Sequence, residues 1–363
     1  MGERVRPLCC CEYFDNNDER SHILACCCNC VDLDEGFESL ITGQGFPERN
    51  RSQLMATIHD RLRIPWRGGA KQVAFDAILP VFILPTMILL ASISLWWTIF
   101  SFTAVIVILA SVFKFFIRTI PRTKFFIVWT VTSIIILYVI FELIVIPFLE
   151  ILVEENILLS IFFALFLLCL YLMRIRNGSL GKIGENEAES GFVGTSNRCF
   201  ICQVLVPDKD HHCVWFDCCI GRHNQCLFIL TLFFAIASLL YSSNLTLTSV
   251  CHPFIFYKTI LLPDDCSDVY QQFELGLSFV AALYSLGLAV MLLLLFLHQI
   301  LLVSLGMTSK EWRNLSFCAK CFLGLCSKRP HNYGFVKNWS RIMCWNRNYN
   351  IALCYQIHNV KQY

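Results

Sequence analysis

Long apolar runs alternate with short polar segments along this chain, and their lengths predict the elements. Residues 77–117 are almost continuously apolar. A helix crosses a bilayer in about 20 residues, so this run predicts two helices with a tight turn near Ser94-Leu95-Trp96-Trp97. Paired tryptophans at a turn suit a membrane interface. Pro80 and Pro85 lie early in the first span and predict a kink or its point of entry. Further spans are predicted from about Phe125 to Pro147, Ile157 to Met173, Cys226 to Leu247 and Leu275 to Leu305. The expected fold class is an all-α polytopic membrane protein with six transmembrane helices and a small cytosolic cysteine-rich domain between spans four and five.

Charge fixes the expected orientation. Arg61, Arg63, Arg67 and Lys71 precede the first span; Arg118, Arg122 and Lys124 lie between the second and third; Arg174 and Arg176 follow the fourth. The loop after the third span carries Glu150, Glu154 and Glu155. The loop after the fifth carries Asp264, Asp265 and Asp268 with a single lysine. Basic loops stay on the cytosolic side, so both termini and the polar island around residue 210 are expected there. The expected organisation is a Cys-rich N-terminal segment (1–72), spans one to four (73–176), a linker and cysteine-rich domain (177–225), spans five and six (226–305) and a C-terminal tail (306–363).

Composition agrees. The chain is 56% hydrophobic and 15% charged, with mean hydropathy +0.59, whereas soluble domains carry about a quarter charged residues. A net charge of +2 argues against nucleic acid as a main partner. The chain has 21 cysteines, and their clusters are in segments expected to face the cytosol, where thiols stay reduced, so they are not read as a disulfide framework. The first apolar run starts too far in for a cleavable signal peptide. Cys9-Cys10-Cys11, Cys26-Cys27-Cys28 and Cys30 leave three readings open: a metal site, acylated thiols or a plain tail. Leu54 to Leu62 suggests a short amphipathic helix.

The chemistry is concentrated in Asp210-His211-His212-Cys213. An imidazole held by a carboxylate can deprotonate a neighbouring thiol, and a thiolate is a strong nucleophile. The second imidazole can take a metal. Cys199 and Cys202 are separated by two residues, Cys202 and His212 by nine, and His212 and Cys219 by six. Together they make a Cys-Cys-His-Cys set with the pattern of a closed, structural zinc site. Cys213 falls between two of these ligands, so the metal would fix the loop that carries the nucleophile. The bland alternative is chance clustering in a Cys-rich chain.

These residues, with Val214-Trp215, Cys219-Ile220-Gly221, Asn224 and Phe228, resemble the DHHC family of protein S-acyltransferases (palmitoyltransferases). The resemblance implies that Asp210 orients His211, that His211 is the general base, and that Cys213 takes the acyl chain from palmitoyl-CoA or another long-chain acyl-CoA, the co-substrate. The acceptors would be cysteines of cytosolic or membrane proteins at the bilayer surface. His212 would bind structural zinc with Cys199, Cys202 and Cys219. The family carries two consecutive Cys-x2-Cys-x9-His-x6-Cys units; here one is present, and Pro207-Asp208-Lys209 runs straight into Asp210. Cys218 stands where the family usually has Asn or Ser.

Further matches follow. Arg176-Asn177-Gly178 is a faint echo of the family's Asp-Pro-Gly motif. Met307-Thr308-Ser309-Lys310-Glu311 resembles Thr-Thr-x-Glu, which braces the catalytic domain in the family; independently, Thr308 and Glu311 have the spacing of a capping box. Asn332 to Trp339 resembles the C-terminal Tyr/Asn motif, with Asn338 as its buried hydrogen-bonding residue. Cys318, Cys321 and Cys326 are candidate acylation sites. Family members are common on Golgi, endoplasmic reticulum and plasma membranes. Three function classes follow: an active S-acyltransferase, a catalytically impaired scaffold of the same family that lost a zinc repeat, and a metal-handling membrane protein. The third lacks ionisable residues along an obvious path through the spans.

Overall fold

The computed structural model describes residues 9–343 except 10, 16–18, 25–29, 44–46, 68, 73–74, 120–122, 191–196, 200, 203, 207, 257–259, 317–319 and 321–331. Cys10, Cys26-Cys27-Cys28, Cys318, Cys321 and Cys326 lie outside the described residues. The chain divides into two compact units, the first comprising residues 1–91 and 96–136, the second 92–95 and 137–363.

In the first unit a short hairpin, β1 (Glu12–Phe14) and β2 (Arg20–His22), is followed by helices α1 (Cys30–Ile41) and α2 (Glu48–Arg61) and a second hairpin, β3 (Arg63–Ile64) with β4 (Lys71–Gln72). The predicted Leu54–Leu62 helix is thus the second half of a longer one. Arg63 pairs with Asp60 at 2.7 Å and lies over the Tyr13 ring. The apolar run then forms α3 (Phe75–Ala91) and α4 (Leu95–Thr119), turning where the tryptophan pair predicts. Thr98 Oγ1 donates to the Ala91 carbonyl across that turn, satisfying one of the helix-end acceptors. Helix α5 (Phe125–Ile140) follows. Buried Asp76, at the start of α3, accepts from Thr123 Oγ1 at 2.8 Å and from the Lys124 amide at 2.6 Å. The starts of α3 and α5 therefore sit at one end of this unit.

Helix α5 continues through a π-helical turn (Phe141–Val145) into α6 (Ile146–Leu149). Pro147 offers no amide to the carbonyl one turn back, and a widened turn just ahead of it accommodates that loss. Glu142 lies in this turn, an ionisable side chain within a membrane-length segment. Helix α7 (Val153–Ser190) is 38 residues long, far more than a bilayer requires. The Gly-, Ser- and Glu-rich stretch expected to be a linker is helical as far as Ser190. Each Gly costs only about 1 kcal/mol in a helix, and the residues between are good formers.

Short strands β5 (Asn197–Arg198) and β6 (Leu205–Val206) pair, and β7 (Lys209–Cys213) pairs with β8 (Cys218–Gly221). Helix α8 (Gln225–Val250), a hairpin of β9 (His252–Phe256) and β10 (Ile260–Asp265), and helix α9 (Phe273–Leu305) complete the membrane-length elements. Helices α8 and α9 pack closely: Ser243 Oγ donates to the Ala282 carbonyl. Near the α9 start, a Cβ on Gly276 would come within 2.6 Å of the Ser92 carbonyl oxygen. A disulfide joins Cys251 to Cys266 across the far loop. This bond was not expected, because the cysteine argument weighed only the cysteine clusters elsewhere in the chain. Helices α10 (Ser309–Asn314) and α11 (Phe335–Met343) follow.

Among the described residues, five helices are long and apolar enough to cross a membrane: Leu95–Lys114, Phe125–Leu149, Val153–Gly178, Gln225–Val250 and Phe273–Leu305. The chain is therefore a mostly helical, multi-pass membrane protein. The remaining expected span is the shorter apolar helix Asp76–Ala91.

Candidate active site

The site is the β7–β8 hairpin and what holds it. His212 pairs with Cys219 across the hairpin, His211 with Ile220, and Cys213 with Cys218. Side chains alternate between the two faces of a strand, so this register sorts the chemistry. One face carries His212 and Cys219. The other carries His211, Cys213, Cys218 and Ile220. The packing follows the same division. Cys199, Val206 and Cys219 share a buried cluster with partly buried Cys202. Cys213, Cys218 and Ile220 share another with Met173, Phe216, Leu227, Phe228 and Leu232.

On the first face, Cys199, Cys202, His212 and Cys219 converge, as their spacing predicts. His212 Nδ1 lies 3.9, 3.3 and 3.6 Å from the sulfurs of Cys199, Cys202 and Cys219, and Cys202 and Cys219 are 3.5 Å apart. A tetrahedral zinc with Zn–S of about 2.3 Å and Zn–N of about 2.0–2.1 Å puts its ligand atoms roughly 3.5–3.8 Å apart. All four ligand atoms lie within 4.8 Å of one another, so a small inward shift of the widest pair completes that tetrahedron. Crowding against the Cys202 thiol and burial both push the Cys219 thiol well up; a bound cation reverses that penalty. His212 Nε2 faces Asp217 at 3.8 Å, a carboxylate beyond the ligands of the kind that orients metal-bound imidazoles.

On the second face, His211 Nδ1 meets Asp210 Oδ2 at 2.6 Å. The ladder slips between Lys209 and His211. Such a bulge re-aims one side chain, here the buried carboxylate of Asp210. Asp210 also accepts from the Ser309 amide at 2.6 Å and from Ser309 Oγ at 2.7 Å. Burial works against charge on both partners. In His211 it is outweighed by hydrogen bonds with Asp210 and Cys213 and by their charges, which raise the imidazole to about 9. In Asp210 it is outweighed by His211 and then Ser309, which hold the carboxyl below its ordinary value. The His211 ring meets Phe228 edge-on at 5.6 Å. Around Cys213 the wall is apolar, with Leu170, Leu172, Trp215, Leu292 and Phe296 completing the cluster from α7, the hairpin loop and α9.

The hairpin and its surroundings are tied by several buried polar side chains. Asn224 is buried; its Nδ2 donates to the Cys219 carbonyl and its Oδ1 accepts from the Gly221 amide. It locks β8 to the start of α8. Thr308 and Glu311 form a reciprocal capping box at α10. Buried Asn338 donates to the Ser304 carbonyl and to Asn332, and accepts from the Tyr333 amide. Two residues were missed. Ser309, not Thr308 or Glu311, reaches Asp210, and its place inside the Thr-Ser-Lys-Glu run was the available signal. Asn177 Oδ1 accepts from the Cys219 amide at 3.1 Å, so the faint Arg-Asn-Gly echo marks a real tie between α7 and the metal loop. Arg176 adds a bond to the His223 carbonyl. The His298 ring meets the Trp312 ring edge-on.

A multi-pass membrane protein that presents a buried thiol beside a carboxylate-held imidazole, with a four-ligand metal set behind it, has the makings of a membrane thiol acyltransferase. Comparison with known proteins agrees. The profile of the family described as DHHC palmitoyltransferase matches residues 194–316. "Palmitoyltransferase ZDHHC23-B" of Danio rerio is 30% identical over 400 residues, 93% of this chain and 92% of that protein. "Palmitoyltransferase ZDHHC23" of Mus musculus is 28% identical, with 92% of each chain covered. That of Homo sapiens is 27% identical over 85% of this chain and 89% of its own. The chain belongs to the DHHC palmitoyltransferase family.

Proposed function

We infer that the protein is a protein S-palmitoyltransferase, and we propose that it works through an acyl-Cys213 intermediate. The observation that carries this is the placement of Cys213 and His211 on one hairpin face, toward the apolar wall, with Asp210 bulged to meet the imidazole. Cys213 gives its thiol proton to His211, and the resulting thiolate attacks the thioester carbonyl of a long-chain acyl-CoA. The carbon–sulfur bond to CoA breaks, and the departing thiolate takes a proton from His211. In the second step a substrate cysteine gives its proton to His211 and attacks the acyl-Cys213 carbonyl, releasing the Cys213 thiolate. Asp210 stabilises the imidazolium in both steps. Leu170, Leu172, Leu292 and Phe296 lie along the path of an acyl chain running into the membrane from Cys213. Zinc on Cys199, Cys202, His212 and Cys219 would supply rigidity, since the four protein ligands leave no open position. Nothing on either face of the hairpin favours the impaired-scaffold reading.

We propose six spans, with α3 as the first and both termini cytosolic. Asp76 ties the α3 start to the α5 start, as expected if α3 and α4 cross and return. Ser309, after α9, meets Asp210, before α8. The α8–α9 loop is therefore at the opposite end from the site, and a disulfide there suits an oxidising lumen. A Golgi or endoplasmic reticulum membrane, or the plasma membrane beyond them, meets this requirement.

The test is transfer to a thiol. Purified protein in detergent with clickable palmitoyl-CoA and a lipid-anchored cysteine peptide should label both the enzyme and the peptide through hydroxylamine-sensitive bonds. Cys213→Ser should lose both labels. Peptide labelling that persists in the variant would sink the proposed intermediate.

A further inference from the structure

Cys218 has no part in the acyl transfer just described, yet it is the direct cross-strand partner of Cys213. Directly opposed residues project to the same face with Cβ atoms about 4.5–5.5 Å apart. A disulfide needs roughly 3.5–4.5 Å, so closure asks for about 1 Å of movement. Both residues are buried in one apolar cluster, with Phe216 and Met173. The other thiols of the hairpin region, Cys199, Cys202 and Cys219, belong to the candidate metal set on the opposite side. A second thiol therefore stands beside the proposed nucleophile, and the strand's own alternation keeps the metal ligands out of its reach.

We propose that Cys213 and Cys218 form an oxidisable dithiol, a modification site at which a peroxide converts the nucleophile into a reversible disulfide. The proposal rests on the reading of Cys213 as the reactive thiol. In the first step the Cys213 thiolate attacks one peroxide oxygen. The O–O bond breaks, Cys213 becomes a sulfenic acid, and hydroxide leaves and is protonated to water. In the second step Cys218 sulfur attacks the Cys213 sulfur. The S–S bond forms, the S–O bond breaks, and the hydroxide takes the Cys218 proton to leave as a second water. Two thiols are oxidised by two electrons and one peroxide is reduced to two waters. A dithiol restores the pair by two exchanges and is itself oxidised. Only four residues, Val214 to Asp217, separate the two cysteines, and strained disulfides are the easily reduced ones. Without a resolving thiol, a sulfenic acid is exposed to further, irreversible oxidation. An acyl group on Cys213 occupies the same sulfur, so loading with acyl-CoA excludes the disulfide.

The test uses the full-length, zinc-loaded protein in detergent or nanodiscs. After hydrogen peroxide and thiol alkylation, peptide mass mapping should find Cys213 joined to Cys218 with two hydrogens lost. Autoacylation should fall as the link accumulates and return fully with dithiothreitol. Prior incubation with palmitoyl-CoA should prevent the link. Cys218→Ser should match the parent in autoacylation before peroxide and should fail to recover afterwards, with Cys213 found as sulfinic acid. A link from Cys213 to a metal-ligand cysteine would overturn the proposal, as would equal recovery of the parent and Cys218→Ser. The link is read by mass, so its presence in a protein that never acylates would contradict the transferase mechanism and leave the dithiol standing.

Discussion

Asp210 holds His211 with one carboxylate oxygen and meets Ser309 with both. Its removal should matter through the imidazole. Asp210→Asn keeps the shape but takes away the charge that outweighs burial in His211. Autoacylation should fall by about 10²–10⁴-fold, the usual worth of positioned acid–base catalysis. Ser309→Ala keeps the backbone bond and loses the hydroxyl one, so its loss should be smaller, about tenfold. Single-turnover labelling by palmitoyl-CoA measures both. The pH dependence follows from the direction of the His211 shift. Its folded value of about 9 lies above the ordinary value near 6.5, so the bound proton stabilises the hairpin. That contribution is full below pH about 6.5 and is lost as pH climbs through about 9. Thermal stability of zinc-loaded protein should therefore fall between these limits, and Asp210→Asn should flatten the slope.

The β7–β8 hairpin shows how an element divides its work. Period-two alternation gives the metal one face and the thiol chemistry the other, and a bulge at Asp210 escapes the alternation. The ligand set, the Asp-His-Cys line, the capping box and Asn224 were legible because their spacing is local. Ser309 and Asn177 were not, because their partners lie 99 and 42 residues away and a single hydroxyl or amide has no period to announce it. The extension of α7 to Ser190 was missed because Gly and Ser were given the weight of breakers. At this scale Asn224 is the joint between strand and helix. Asn224→Ala should strand the buried Gly221 amide and Cys219 carbonyl at a cost of about 1–3 kcal/mol. The expected outcome is faster zinc loss to a chelator and a lower unfolding temperature, with Cys213 still present and reactive in the fraction that keeps its metal.

Across the whole molecule, apolar length made the multi-pass character plain, while the exact number of spans depends on α3, which falls short of the five membrane-length segments and has two prolines inside it. The Cys251–Cys266 disulfide went unforeseen because loop acidity was read only for orientation and not for redox environment. It makes orientation measurable. In sealed vesicles, a membrane-impermeant maleimide should label these two thiols only from the lumenal face and only after reduction. Unconditional labelling from the cytosolic face would reverse the topology. The central claim is that one Cys-Cys-His-Cys site is enough to hold the acylating hairpin. The direct measurement is zinc content and hydroxylamine-sensitive palmitoyl labelling on the same purified sample, beside Cys213→Ser and a chelator-stripped aliquot. The account predicts one zinc per chain, a label that vanishes in Cys213→Ser, and labelling that declines in proportion to zinc removed. Undiminished labelling in metal-free protein, or a label that survives in Cys213→Ser, would contradict it.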